Sequence, residues 1–360
     1  MKILSWLIRS LFAISAWVVL LSSLLANLAP YISPNTVWWL PFFGLAYPFI
    51  ALGQIILFFW AILKYRMMAF YLFFVFILGL SHFNGIFQFR AKAPSPPPGI
   101  RLLSYNVHGD LSLRYIYDVT KNLNRPRKAI ELIMRQDADI MCFQESNYTK
   151  QVPSSATENL PHIDHEYHAS DFTKSQNEIF SRFPIKNYNG FRFPNSSNSV
   201  MYADIIVDTD KIIRVYNVHL QSFRLGKDAD EFVSDLDELM HKDEQQTYAR
   251  TLHKLYRGFV KRAAQVEMLS DSIRNSPYPV VVCGDFNDTP SSYAYQTLAG
   301  SLQDAFKKSG SGFSFTYAGK LPALSIDHVL LDQKLKSSYF KVLREGGSDH
   351  YPLLSVFQYW

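Results

Sequence analysis

Before Asp110 the chain contains no aspartate and no glutamate. Six charged side chains, all basic, interrupt the first 99 residues: Lys2, Arg9, Lys64, Arg66, Arg90 and Lys92. Between them lie three uncharged apolar runs, Ser10 to Ala29, Val37 to Leu63 and Met67 to Phe87. About 20 apolar residues in a helix match the hydrocarbon core of a bilayer, and such a helix has no polar face to turn to water. The runs therefore predict three transmembrane helices, about 10–29, 37–63 and 67–87. Trp38, Trp39 and Trp60 stand near the ends of the second run, where interfacial aromatic residues collect. A cleaved signal peptide starting at Lys2 and Arg9 is the alternative for the first run. That run exceeds the roughly 7–15 apolar residues usual in such a peptide, and two more spanning runs come after it. A soluble helical bundle would need a polar outer face, which the first 99 residues do not offer.

The basic residues beside the runs suggest an orientation. Lys2, Arg9, Lys64 and Arg66 would lie on the cytoplasmic side, while the turn Pro30 to Thr36 carries no charge. Three crossings then put the remainder on the non-cytoplasmic side, although Arg90 and Lys92 pull the other way. Ala91 to Gly99, AKAPSPPPG, reads as a short, stiff polyproline tether that keeps the C-terminal part near the bilayer.

Residues 100–360 differ sharply. The chain has 36 Lys and Arg, of which six precede residue 100, so 30 face all 31 Asp and Glu in this part. That near balance argues against a domain-wide basic surface for nucleic acid. Two cysteines, Cys142 and Cys283, are too few for a disulfide framework or a thiolate zinc site, and each reads as a small core residue. Short apolar or alternating runs recur at 100–105, 140–143, 178–181, 201–207, 212–218, 280–283, 326–331 and 353–357. Helical patterns lie between some of them, at 127–135 and 248–274. No second linker interrupts them, so they predict one large α/β domain. The polar stretch Lys227 to Glu244 reads as an inserted loop or lid, or equally as a solvated surface helix.

The residues that terminate the apolar runs carry the chemistry. Successive runs lead into Asn106-Val107-His108, Gln144-Glu145-Ser146, His219-Leu220-Gln221 and Gly284-Asp285-Phe286-Asn287; Ser325-Ile326-Asp327-His328 and Ser348-Asp349-His350 come near the end. Singly, each such residue is an ordinary turn former or helix cap. Jointly, carboxylates, amides and imidazoles at strand ends suit a hard, oxygen-binding cation and a phosphate ester.

The ordered set SYNVHG, CFQES, IFSRFPI, VYNVHLQS, VVVCGDFND, SIDHVLL and GSDHYPLLSVF resembles the endonuclease/exonuclease/phosphatase superfamily over essentially all of 100–360. GDFND with a distant SDHYP after it is the specific part; SRFPI or QES alone is weak. The resemblance implies a deoxyribonuclease-I-like, four-layer α/β sandwich with two central mixed sheets. It also implies Mg²⁺- or Mn²⁺-assisted hydrolysis of a phosphoester by in-line attack of water. Glu145 would be the principal metal ligand, with Asn106 beside it and Asp349 a further metal or water ligand. Asp285 would orient or deprotonate the attacking water, and Asn287 would hydrogen-bond a phosphate oxygen. His350 would contact the phosphate or act as general base, with its tautomer fixed by Asp327. His219 would add another phosphate hydrogen bond, and Arg182 would be a structural or phosphate-side residue. One departure stands out: His108 occupies the position, two after the first Asn, where some repair nucleases carry an acid.

Three functions remain in view. A membrane-tethered phosphodiesterase or phosphatase acting on a phospholipid or other envelope phosphoester fits the tether and the charge balance. A nuclease would need a local basic groove. A catalytically silent receptor or scaffold would keep the fold and lose the hydrolysis.

Overall fold

A computed structural model of the chain describes residues 2–108, 132–133, 135–146, 165–168, 176–222, 244–319 and 324–360. The stretch 227–244, read from sequence as a lid or surface helix, lies outside the described residues up to 243, as does most of the 127–135 pattern.

The acid-free segment folds as helices α1 (Lys2–Leu28), α2 (Pro41–Leu45), α3 (Tyr47–Lys64), α4 (Arg66–Leu78) and α5 (Leu80–Phe83), with one 3₁₀ turn at Ala29–Tyr31. Among the described residues, two stretches are long and apolar enough to cross a membrane, Ile3–Tyr31 with 29 residues and Tyr47–Lys64 with 18. Arg66–Leu78 is a shorter apolar helix within the third expected span. Pro41 and Pro48 each sit in the first turn of a helix and split the 37–63 run, so its long helix begins only at Tyr47. The third run ends as a helix at Leu78, giving 13 residues or about 20 Å. The interruption is at Gly79, whose carbonyl accepts the Tyr47 hydroxyl at 2.8 Å. A Cβ on Gly79 would stand 2.6 Å from Asn27 Oδ1. Phe12 stacks on Tyr65 and meets Trp60 edge-on at one end of the helical group, while Ala26, Tyr47, Ala51 and Ile86 cluster at the other. Arg9, Lys64 and Arg66 belong to the first end.

The strands, in chain order, are β1 (Phe87–Gln88), β2 (Ile100–Asn106), β3 (Ile140–Gln144), β4 (His165–His168), β5 (Glu178–Ser181), β6 (Ile185–Arg192) and β7 (Ser199–Asp208). Then come β8 (Lys211–His219), β9 (Val280–Asp285), β10 (Gln303–Asp304), β11 (Gly312–Phe313), β12 (Asp327–Leu331), β13 (Leu335–Val342) and β14 (Leu353–Tyr359). Helices α6 (Glu244–Arg274), α7 (Tyr293–Ala299) and α8 (Ala305–Ser309) lie among them. Among the described residues, two six-stranded sheets result, β13-β14-β2-β3-β5-β4 and β10-β12-β9-β8-β7-β6. Each is mixed, with one parallel pair at its centre, β2/β3 and β8/β9, and antiparallel neighbours.

Alternation along the strands dictates the layers. Leu102, Ile140, Cys142, Ile213, Val215, Val281, Cys283 and Val329 point between the sheets and form a shared core. Leu103, Tyr105, Met141 and Phe143 point outward on the first sheet, where Leu132 and Ile133 of a helical stretch cover them. Tyr216, Val218 and Val282 point outward on the second, under Val266, Leu269 and Ile273 of α6 and Leu298 of α7. Both cysteines are free and buried in the core.

One constraint shapes the edge where the polar strand ends gather. Gly284 has φ +132, and a Cβ there would overlap the Val218 backbone, so only glycine lets β9 run this close to β8. The parallel pairs end side by side: Asn106 is opposite Gln144, and His219 opposite Asp285. The antiparallel β12 and β14 begin at that same edge, with Asp327 opposite Asp285 and Leu353 opposite Ser104.

The acid-free segment is not held off by the proline-rich stretch. Before reaching it, β1 pairs with β11, and Arg90 Nη1 donates to Gly310 O at 3.2 Å. Phe42 meets Phe259 of α6 edge-on.

Candidate active site

Along the inward faces of the central strands the period of two passes from apolar to polar side chains at this edge, from Leu102 through Ser104 to Asn106 and from Val281 and Cys283 to Asp285. Asp327, the first residue of the antiparallel β12, lies opposite Asp285, with His219, Glu145 and His350 beside them. The two sheets are joined at this edge through side chains. Asn106 Nδ2 donates to Asp285 Oδ2 at 2.9 Å. Gln144 Nε2 donates to Asn217 Oδ1 at 2.7 Å, and Asn217 Nδ2 donates to Phe143 O and Glu178 O. Neither Gln144 nor Asn217 was singled out from sequence. Their positions, one or two residues before Glu145 and His219, were the available signal.

Asp285 is the most enclosed acid of the group, 1% exposed. Its Oδ1 accepts the Asn287 backbone N–H at 2.8 Å, and Oδ2 accepts from Asn106 and, at 3.1 Å, from Asn287 Nδ2. Asn287 Nδ2 also donates to Leu220 O at 3.0 Å. Asn287 has a left-handed φ of 53°. Burial is the largest influence on Asp285 and pushes its pKa up to about 7, against the lowering effect of His350.

His350 Nδ1 lies 2.9 Å from Asp327 Oδ2, and its Nε2 is 3.8 Å from Asp285 Oδ2. Burial alone would lower its pKa; the Asp327 and Asp285 carboxylates outweigh that and hold it at about 10. Asp327 is itself fixed, because Thr316 Oγ1 accepts its backbone N–H at 3.1 Å. The loop before His350 is pinned by Ser348 Oγ donating to Asn106 O at 2.8 Å and by Tyr105 Oη accepting the Ser348 N–H at 3.2 Å.

Glu145, at a left-handed φ of 55°, faces two imidazoles: His219 Nε2 is 3.5 Å from Oε1, and His108 Nδ1 is 3.5 Å from Oε2. His108 is also 3.6 Å from Asp349 Oδ1. Among the described residues, three of the five non-glycine residues with positive φ, His108, Glu145 and Asn287, are site residues. His219 Nε2 is buried without a hydrogen-bond partner among the described residues. Burial lowers its pKa, Glu145 opposing, which keeps the ring neutral near pH 7.

Asn106, Glu145, His219, Asp285, Asn287, Asp327, Asp349 and His350 are therefore brought together. Arg182 is not. Antiparallel pairing sets Ser181 opposite Ile140, the first residue of β3, so Arg182 sits at the far edge of the sheet from Glu145. There it donates to Asp139 Oδ1 and Asp137 Oδ1, both at 2.7 Å, away from the gathered site residues.

The donor set fits a divalent cation. Asp285, Asp327 and His350 gather atoms within 4.8 Å of one another, and the carboxylates among them are hard oxygen donors. Glu145, Asn106 and Asp349 add oxygen donors around them. Among the described residues the ion-pair partners of Glu145 and Asp285 are imidazoles alone. Hard carboxylate and amide oxygens in excess of positive charge are what Mg²⁺ or Mn²⁺ takes.

Comparison with known proteins finds two family matches. The Endonuclease/Exonuclease/phosphatase family matches residues 103–350, and a domain of unknown function matches residues 9–86. No curated protein matches the sequence. Among solved structures, an endonuclease/exonuclease/phosphatase family protein from Bacteroides thetaiotaomicron has a TM-score of 0.49 at 16% identity, covering 73% of this chain and 98% of that one. A mannosyl-6-phosphatase from the same organism scores 0.48 at 17% identity, covering 72% of this chain and 100% of that one. Sphingomyelinase C from Streptomyces griseocarneus scores 0.45 at 17%, covering 72% and 99%.

Proposed function

The chain belongs to the endonuclease/exonuclease/phosphatase family, and on that premise we propose that it is a membrane-anchored, divalent-metal-dependent phosphoester hydrolase in which water attacks phosphorus in line. The observation that carries this reading is the Asn106–Asp285–His350–Asp327 chain of contacts at the joined edges of the two sheets.

Glu145, Asn106 and Asp349 would hold Mg²⁺ or Mn²⁺. The bound ion would neutralise phosphate charge and polarise the phosphorus–oxygen bond. Asp285, with its pKa raised to about 7, is suited to accept the proton of the attacking water near neutrality. His350, kept protonated by Asp327, is suited to donate to a phosphate oxygen rather than to serve as the base. His219 Nε2, which has no partner among the described residues, supplies a second hydrogen bond where negative charge grows. Asn287 orients Asp285.

The two long apolar helices support an anchor, and Arg9, Lys64 and Arg66 at the end away from the sheets favour a non-cytoplasmic catalytic domain, periplasmic or extracellular in a bacterium. That placement favours a phospholipid or another envelope phosphoester over nucleic acid. Full-length protein in nanodiscs, assayed with Mg²⁺ on phospholipid vesicles, plasmid DNA and a soluble phosphate monoester, tests the reading. Lipid headgroup release that stops on chelation is the expected result. Strong DNA nicking with a steep salt dependence would transfer the assignment to a nuclease. Biological function that survives Glu145→Ala and His350→Ala would establish a silent receptor.

A further inference from the structure

Gly44 and Gly85 belong to the acid-free segment, and neither has the positive φ that would require glycine for its own backbone. Gly44 even sits inside α2, where glycine is a poorer helix former than alanine. Both are explained by what lies against them. A Cβ on Gly44 would overlap the Ser291 carbonyl oxygen, and one on Gly85 would stand 2.6 Å from Pro290 Cβ. Two glycines, about forty residues apart, thus admit the segment against one short loop. That loop, Asp288 to Ser292, begins immediately after Asn287.

Hydrogen bonds run along the same contact. Thr289 Oγ1 donates to Gly44 O at 3.5 Å, and Ser314 Oγ donates to Gly85 O at 2.7 Å. Ser314 N donates to Ile86 O at 2.9 Å. Two residues beyond Ser314, Thr316 Oγ1 accepts the backbone N–H of Asp327. The segment therefore touches the loop behind Asp285 and Asn287 and also Ser314, two residues before the hydroxyl that holds Asp327. Asp288, Thr289, Ser291 and Ser292 are all buried.

We propose that Gly44 and Gly85 are positioning residues of the active site: by seating the apolar segment on the 288–292 loop they hold Asn287 and Asp285 in register, so hydrolysis requires the seated segment. This rests on the hydrolase reading above. It goes beyond anchorage, because the segment would act on the rate of the chemical step and not only on where the domain resides. The domain has its own grip on the loop, with Arg262 Nε donating to Asp288 Oδ2 and His328 Nε2 against Asp288 O, both at 2.9 Å. If that grip sufficed, the glycines would be dispensable.

The test uses full-length protein in nanodiscs: Gly44→Ala, Gly85→Ala and the milder Ser314→Ala, with Gly53→Ala as control, since a Cβ there would meet only Val19 at 3.8 Å. Kinetics are measured on a soluble phosphodiester, and amide hydrogen exchange is tracked over 285–292. The glycine variants are expected to lose kcat by about tenfold to a hundredfold with KM unchanged within about twofold, as displaced reacting groups do. Ser314→Ala should show a smaller loss in the same direction, and exchange over 285–292 should quicken while global melting matches the control. In an Asn287→Ala background, Gly85→Ala should cost almost nothing further. Unchanged kcat and exchange, a change confined to KM, or fully multiplicative losses in that background would overturn the proposal. Should the wild type hydrolyse nothing, the hydrolase reading fails, and the active-site role proposed for the glycines falls with it. The exchange comparison would then report only whether the segment holds the loop.

Discussion

Asn106 at the end of β2 and Asp285 at the end of β9 are 179 positions apart, and one hydrogen bond of 2.9 Å between them ties the edge of one sheet to the edge of the other. It also supplies part of the compensation for burying the Asp285 carboxylate. Asn106→Ala is expected to destabilise the protein by about 1–3 kcal/mol, the cost of leaving a buried acceptor short of a donor. Turnover should fall by roughly 10²-fold. Chemical denaturation and steady-state kinetics on the same preparation check both.

The Asp327–His350 pair makes a pH-dependent contribution to stability. His350 is raised from 6.5 to about 10, so the pair's contribution is fully present below pH 6.5 and is lost as pH climbs through 10. In chelated protein the melting-temperature gap between wild type and Asp327→Asn should be widest near pH 6 and should close towards pH 10.5. A gap that widens with pH would refute the assignment.

Metal removal should abolish hydrolysis, and added Mg²⁺ or Mn²⁺ should restore it. Glu145→Gln should raise the ion concentration needed for half-maximal rate by more than about tenfold. Titration calorimetry with Mn²⁺ gives a reading that does not depend on turnover.

Arg262 is fully buried and holds Asp288 through Nε at 2.9 Å while donating to Gln221 O. Arg262→Met would strand a buried carboxylate, at a cost of about 3–5 kcal/mol. Arg182→Ala, by contrast, should leave kcat and KM unchanged, because its partners Asp137 and Asp139 lie at the opposite edge of the sheet. A tenfold loss of kcat on Arg182→Ala would restore a phosphate-side role to it.

Much of the site was legible because strand periodicity is local. Alternation along Leu102, Ser104 and Asn106, or Val281, Cys283 and Asp285, shows in the sequence itself that the last inward residue is polar. The order of the sheets was not legible, since it depends on pairings such as β14 with β2 that join opposite ends of the domain. Arg182 illustrates the limit: its motif sits among site motifs, yet antiparallel β5 carries it away from them. The close crossing at Gly79 likewise leaves no trace in hydropathy. The seat of Gly44 and Gly85 on the 288–292 loop was equally hidden, because a glycine explained by its neighbour looks like any other glycine.

The most direct measurement traces one phosphoester through hydrolysis in ¹⁸O-labelled water with Mg²⁺, comparing wild type with Asp285→Asn. Label in the phosphate product, together with a loss of roughly 10²-fold or more in the variant, is the expected result. Label in the alcohol, or equal rates for the two proteins, would contradict the account.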